Sequence, residues 1–219
     1  MATNKKKKKG IAQPQMQMSP EKYIREISRK LPIYECRVGN PMEGQGLAQV
    51  VVSRLRPNGN IVLGLYLLDT WCLGLKNTMY RFNLTPDDYD ELIDNMSGGT
   101  SIGFDKVDSN YAHNLIYGAI EYAEDLGIQP HKDFKLTEYI LNDAGTIEFE
   151  EIEFGKNGKP FYIAGPYDNS ELILKKLTQH AGMGNFDYIH EIGGGNQMHF
   201  KDNPDAQYDD EDWDDDDDE

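Results

Sequence analysis

Two runs of strand-forming residues, Val50 to Leu55 and Ile61 to Leu68, flank Pro57-Asn58-Gly59-Asn60, and no other feature of this chain constrains its fold as tightly. Asparagine and glycine tolerate the positive φ angles of tight turns whose twist matches antiparallel strands, so an Asn-Gly pair between such runs predicts a β-hairpin. A two-residue turn at Asn58-Gly59 would set Val52 opposite Leu65 and Ser53 opposite Gly64. The second run is apolar at successive positions, whereas the first alternates after Val52 as Ser53, Arg54, Leu55, Arg56. Apolar side chains on both faces need cover on both faces, so the second run is expected inside the sheet with the turn near solvent.

That second run stops at Asp69, and a carboxylate there has two readings. In one, the Asp69 or Thr70 side chain accepts from the free amides of a short helix over Trp71 to Thr78. In the other, Asp69 is a catalytic or metal-binding acid at the rim of a cleft.

The length of 219 residues suits one compact domain with tails. The net charge of −16 is unevenly spread, with five adjacent lysines at positions 5–9 and twelve acids against one lysine from Lys201 to Glu219. Residues 1–18 and 193–219 carry too little apolar surface to offset the entropy of ordering, so a disordered basic arm and a disordered acidic tail are expected. Between them, 19–192 reads as a single globular domain. The two cysteines, Cys36 and Cys72, lack zinc spacing and suit reduced, packed thiols. The lysine run is followed by Gly10-Ile11-Ala12-Gln13-Pro14 rather than an apolar stretch, so neither a signal peptide nor a membrane span is expected, and a cytoplasmic location follows.

Within the domain, Ser19-Pro20-Glu21 opens a helix, Ile33 to Val38 alternates as a strand, and Gly39 to Gly46 reads as a loop. Met79 to Asn83 suggests a short strand. Thr85-Pro86-Asp87-Asp88 starts a helix that stops at Ser97-Gly98-Gly99. From Ser109 to Leu126, Ala112, Leu115, Ile116, Ala119, Ile120 and Ala123 recur at helical spacing, with His113, Tyr117, Glu121 and Glu124 as a second stripe. Farther on, Ile147 to Phe154 and Pro160 to Ile163 flank a second Asn-Gly pair, Asn157-Gly158, which predicts Phe154 opposite Phe161, Ile152 opposite Ile163 and a bulge at Glu150-Glu151. Asp168-Asn169-Ser170 caps a helix through His180, and Phe186 to Ile192 closes as a strand. Together these predict an α+β fold with a mainly antiparallel sheet, built on two Asn-Gly β-hairpins with packed helices and flanked by charged tails.

Candidate chemistry gathers around Asp69, Cys72, Lys76, His113, Glu121, His131 and Asp133. Asp69 with Glu121 or Asp133 offers hard oxygens to a divalent cation, His131 or His113 a general base, Lys76 a cation for developing negative charge, and Cys72 a nucleophile. Each also has a structural role available: capping for Asp69 and Asp133, packing for Cys72, a hydrogen-bonded boundary position for His113. The charged ends supply separate binding candidates. Lys5, Lys6, Lys7, Lys8 and Lys9 attract polyanions in a salt-dependent way, and Trp213 is an anchor within the acidic run.

Tyr66-Leu67-Leu68-Asp69 with Cys72-Leu73-Gly74-Leu75-Lys76, Tyr117 to Ala123 with Leu126-Gly127, Pro130-His131-Lys132-Asp133-Phe134, and Phe154 to Phe161 together resemble a family of uncharacterised bacterial cytoplasmic proteins. The resemblance spans roughly residues 32–192. It implies a bacterial, cytoplasmic origin and no particular activity. Three functions remain expected: a non-enzymatic binding or regulatory protein acting on a nucleic-acid or ribonucleoprotein partner through its charged tails; a hydrolase or nuclease using a divalent metal at the cluster above; and a neutralising partner that covers a basic effector protein with its acidic tail.

Overall fold

The computed structural model describes residues 18–42, 46–97 and 103–189. The lysine run, the acidic tail with Trp213, residues 43–45 of the expected loop, the Gly98-Gly99 stop and the end of the closing strand at 190–192 lie outside the described residues.

Strands β1 (Ile33–Met42), β2 (Leu47–Leu55), β3 (Ile61–Asp69) and β4 (Gly74–Leu84) form an antiparallel meander, and β5 (Asp105–Val107) pairs with the outer side of β1. The resulting sheet has five strands in the order β4-β3-β2-β1-β5. β3 is flanked on both sides and buried on both faces, as its unbroken apolar run predicts. Helix α1 (Pro20–Glu26) starts at Ser19, whose hydroxyl accepts from the Lys22 amide. Helix α2 (Pro86–Ser97) starts with a reciprocal cap between Thr85 and Asp88.

Helix α3 (Ser109–Asp125), capped by the Asp108 carboxylate, lays Ala112, Leu115, Ile116, Ala119 and Ile120 on one sheet face against Val50, Val52, Tyr66, Leu68 and Leu75. The opposite face, Val51, Ile61, Leu63 and Leu65, is covered by Tyr89 and Ile93 of α2 and by Phe104. The alternation of Val50, Val51 and Val52 between two cores is the period of two expressed in three residues. Each of these fully buried aliphatic side chains contributes about 1.5–3 kcal/mol. Helix α4 (Phe134–Thr137) and a 3-10 turn over Glu138–Ile140 connect α3 to the carboxy-terminal third.

The first hairpin forms one register away from expectation. Val52 faces Gly64 and Ser53 faces Leu63. The Gly59 amide donates to the Arg56 carbonyl at 2.9 Å and the Arg56 amide to the Asn60 carbonyl at 2.8 Å, so the loop holds three residues. Only Gly59, at φ +84°, takes the left-handed conformation within it. Pro57, with φ locked near −65°, suits the second position of an ordinary type I turn, and glycine then closes the loop as a bulge.

The short helix expected at Trp71–Thr78 is absent. Residues 70–73 form the turn between β3 and β4, and Gly74 at φ +65° starts an eleven-residue strand that absorbs the expected short strand at Met79–Asn83. Strand β1 likewise continues past Gly39 to Met42.

In the carboxy-terminal third, Asn157 (φ 55°) and Gly158 (φ 76°) form the expected two-residue turn, closed by a Lys156–Lys159 bridge. The pairing ends there. Residues 147–154 are extended but join no strand, so Phe154 does not oppose Phe161, Ile152 does not oppose Ile163, and no bulge exists at Glu150-Glu151. Instead β6 (Phe161–Ile163) pairs in parallel with β7 (Asp187–Ile189) across helix α5 (Ser170–His180), because an intervening helix returns the chain in the same direction.

Candidate binding groove

Helix α3 carries two asparagines four residues apart, Asn110 and Asn114, and they explain why residues 147–154 are extended without a partner strand. The Glu148 amide donates to Asn110 Oδ1 at 3.0 Å, and Asn110 Nδ2 donates back to the Glu148 carbonyl at 2.9 Å. One turn along, Asn114 Nδ2 donates to the same carbonyl at 2.8 Å and its Oδ1 accepts from the Glu150 amide at 3.2 Å. Side-chain amides thus substitute for a sheet ladder. Farther along, Phe154 stacks on Tyr122 at 5.8 Å between ring centroids and lies against Gly118, where a Cβ would come within 2.7 Å of its ring.

A groove of about 490 Å³ runs between α3 and this extended segment. Tyr117, Tyr122, Ile147, Ile152 and Phe154 form its apolar surface, and Phe149 stands at its edge 89% exposed. Glu121 and Asp125 from α3, and Glu150 and Glu151 from the other wall, also line it. All four carboxylates are solvent-exposed, and no lysine or arginine lines the groove among the described residues. Tyr117 and Glu121 belong to the polar stripe that the helical spacing predicts. The facing wall was missed, and its signal is the Asn110/Asn114 pair on one helix face.

Of the other sequence-derived candidates, Asp69, Cys72 and Lys76 lie within electrostatic reach of one another, whereas His113 stands elsewhere. Asp69 Oδ1 accepts from the Trp71 and Cys72 amides, each at 3.0 Å, so its capping role serves a hairpin turn rather than a helix. Burial pushes its carboxyl up to about 6, against the pull of nearby Lys76 and of those amides. Lys76 hydrogen-bonds both Asp168 oxygens at 3.2 Å, and Asp168 also accepts from the Gly165 amide and the Tyr162 hydroxyl, tying β4 to the β6-α5 unit. Cys72 is fully buried and its thiol is held well above the usual range by burial and by Asp69. Burial likewise raises Cys36 to about 12.

His113 lies apart from Asp69. Gly74, paired with Asp69, packs on Ala119 and Ala123, and His113 sits six residues before Ala119, roughly 9 Å along the helix axis. Its Nδ1 donates to the Ser109 carbonyl at 2.6 Å and its Nε2 accepts from the Asn142 amide at 2.9 Å, so both ring nitrogens are occupied. Burial holds the ring below its ordinary pKa, in the neutral form those two bonds require. His131 donates its backbone amide to the Leu75 carbonyl, and its ring stands 3.8 Å from Asp133. Asp133 precedes α4 without making the expected side-chain cap. Among the described residues, no three His, Cys, Asp or Glu side chains are arranged to hold a metal ion. No helix among them is long and apolar enough to cross a membrane.

The Asp69 carboxyl gives a prediction with a definite sign. Its folded value near 6 exceeds the unfolded 3.8, so its contribution to stability is present below pH 3.8 and is lost as pH rises through 6. Asp69→Asn keeps an acceptor for the turn and removes the charge. Denaturant titrations should find the variant more stable than wild type at pH 8, by up to about 3 kcal/mol, with the difference closing near pH 4. An equal deficit at both pH values would contradict it.

Comparison with protein-family models, with curated proteins and with solved structures finds no match for this chain.

Proposed function

We propose that this protein is a non-enzymatic binding domain that captures a lysine- and arginine-rich segment of a protein partner in the groove between α3 and residues 147–154. The observation that carries this reading is the pairing of four exposed carboxylates, Glu121, Asp125, Glu150 and Glu151, with an aromatic and aliphatic surface edged by Phe149. Apolar area supplies affinity when water leaves it, while clustered acids select cations and repel phosphates. A basic protein partner therefore fits this surface better than a nucleic acid. The acidic run from Asp209 to Glu219 adds to the same preference.

Exposed ion pairs contribute roughly 0.2–1 kcal/mol each, so losing three of them weakens binding about tenfold. Titration of a fluorescent octalysine peptide at low salt, into chains whose own Lys5 to Lys9 are all replaced by glutamine, should show that loss when Glu121→Gln, Glu150→Gln and Glu151→Gln are added, together with a flatter salt dependence. Phe149→Ser should weaken capture of a basic peptide bearing one aromatic residue and leave thermal stability unchanged, since the ring is almost fully exposed. Equal affinity with and without those three glutamate changes would remove the groove from the reading.

A further inference from the structure

We propose that the groove is also the docking site of this chain's own lysine run, Lys5 to Lys9, which competes there with the outside partner. The inference rests on the groove being a site for basic segments, and adds its regulation.

Charge is the first support. Five consecutive cations match a groove lined by four carboxylates and an apolar surface. Composition is the second. Ile11, Met16 and Met18 follow the lysines, so the arm offers apolar side chains as well as charge, as the Phe149 edge requires.

Reach is the third. The described chain begins at Met18, just before α1. Arg29, in the turn after α1, donates to the Glu138 and Leu141 carbonyls and pairs with Asp143, the neighbour of groove residue Ala144. Ser19 lies ten residues before Arg29, roughly 15 Å away along a helical path. The nine residues from Lys9 to Met18 span up to about 30 Å when extended, enough to bring the lysines back to the groove.

A tether of this kind gives an effective concentration on the order of 1 mM. Against a local site of roughly 0.1 mM affinity, it lowers the apparent affinity for an outside basic peptide about tenfold. The arm and an outside basic peptide then compete for one site.

Two measurements on the full chain test this. The first is zero-length carbodiimide crosslinking of the monomer at low salt, mapped by mass spectrometry. Amide links from Lys5–Lys9 to Glu121, Asp125, Glu150 or Glu151 within one chain are expected. Links confined to the acids of 202–219, or formed only between chains, would overturn the inference.

The second titrates the labelled octalysine peptide into wild type and into the variant with Lys5→Gln through Lys9→Gln. The variant should bind about tenfold more tightly, and that gain should vanish when Glu121, Glu150 and Glu151 are also glutamine. Equal binding to wild type and arm variant would overturn self-docking while leaving the groove as a site for basic partners. No binding to either would overturn the groove reading, and self-docking with it.

Discussion

Arg54→Ala is expected to destabilise the fold by roughly 3–5 kcal/mol, seen as a fall of about 10 °C or more in the thermal midpoint. The Arg54 guanidinium is 1% exposed, and its three contacts are neutral oxygens: the Ile140 carbonyl, the Leu31 carbonyl at 2.5 Å and Asn142 Oδ1 at 2.6 Å. It therefore fastens β2 to the chain on either side, to the segment leading out of α1 and to the turn that follows α4. Burial draws its pKa down to about 10, so it stays charged at neutral pH. Alanine leaves those acceptors without a donor and opens a void the length of an arginine stem. Arg54→Met fills the stem volume but not the donor role, and should recover only part of the loss. A methionine variant as stable as wild type would show that packing, and not the guanidinium, holds the three segments together.

Gly74→Ala should cost about 3 kcal/mol or more in urea unfolding. Two causes add at that position. Its φ of +65° is strained for any residue with a Cβ, by roughly 1–2 kcal/mol. The added Cβ would also come within 2.6 Å of the Ala123 Cβ and 2.8 Å of the Ala119 carbonyl oxygen, which belongs to the backbone of α3 and cannot step aside without moving the helix. Gly59→Ala is the internal control. That glycine has a similar φ of +84° but nothing within 4 Å, so its cost should stay near the conformational term alone. Similar losses at both positions would mean that close approach of the β3-β4 turn to α3 adds nothing.

The groove shows where sequence reasoning reached and where it stopped. The long amphipathic helix was legible from its spacing, and the stripe beside it contains Tyr117 and Glu121. Residues 147–154 have the alternation of a strand, yet their backbone bonds go to two asparagine side chains. Nothing in a period of two says whether the partner is a strand or a helix face. Within the constellation of Asp69, Cys72, Lys76, His113, Glu121, His131 and Asp133, the fold keeps Asp69, Cys72 and Lys76 together but gives them turn-capping, packing and ion-pairing roles, and it places His113 apart. Residue types suited to catalysis are also suited to capping a turn or pairing across elements, and Asp168, the actual partner of Lys76, lies 92 residues away in the chain.

What the sequence determines by itself is local. Serine before proline starts α1, the Thr85-Asp88 reciprocal cap starts α2, Asn-Gly pairs make turns, and an unbroken apolar run makes the doubly covered strand β3. These follow from side chains acting on their own backbone within a few residues. Tertiary structure decided the rest: the one-residue register of the first hairpin, the parallel pairing of β6 with β7, the burial that lifts Asp69 to about 6, and the gathering of Glu150 and Glu151 with Glu121 and Asp125 in one groove. Each of these depends on which distant surface removes water from a segment, and no local pattern carries that information.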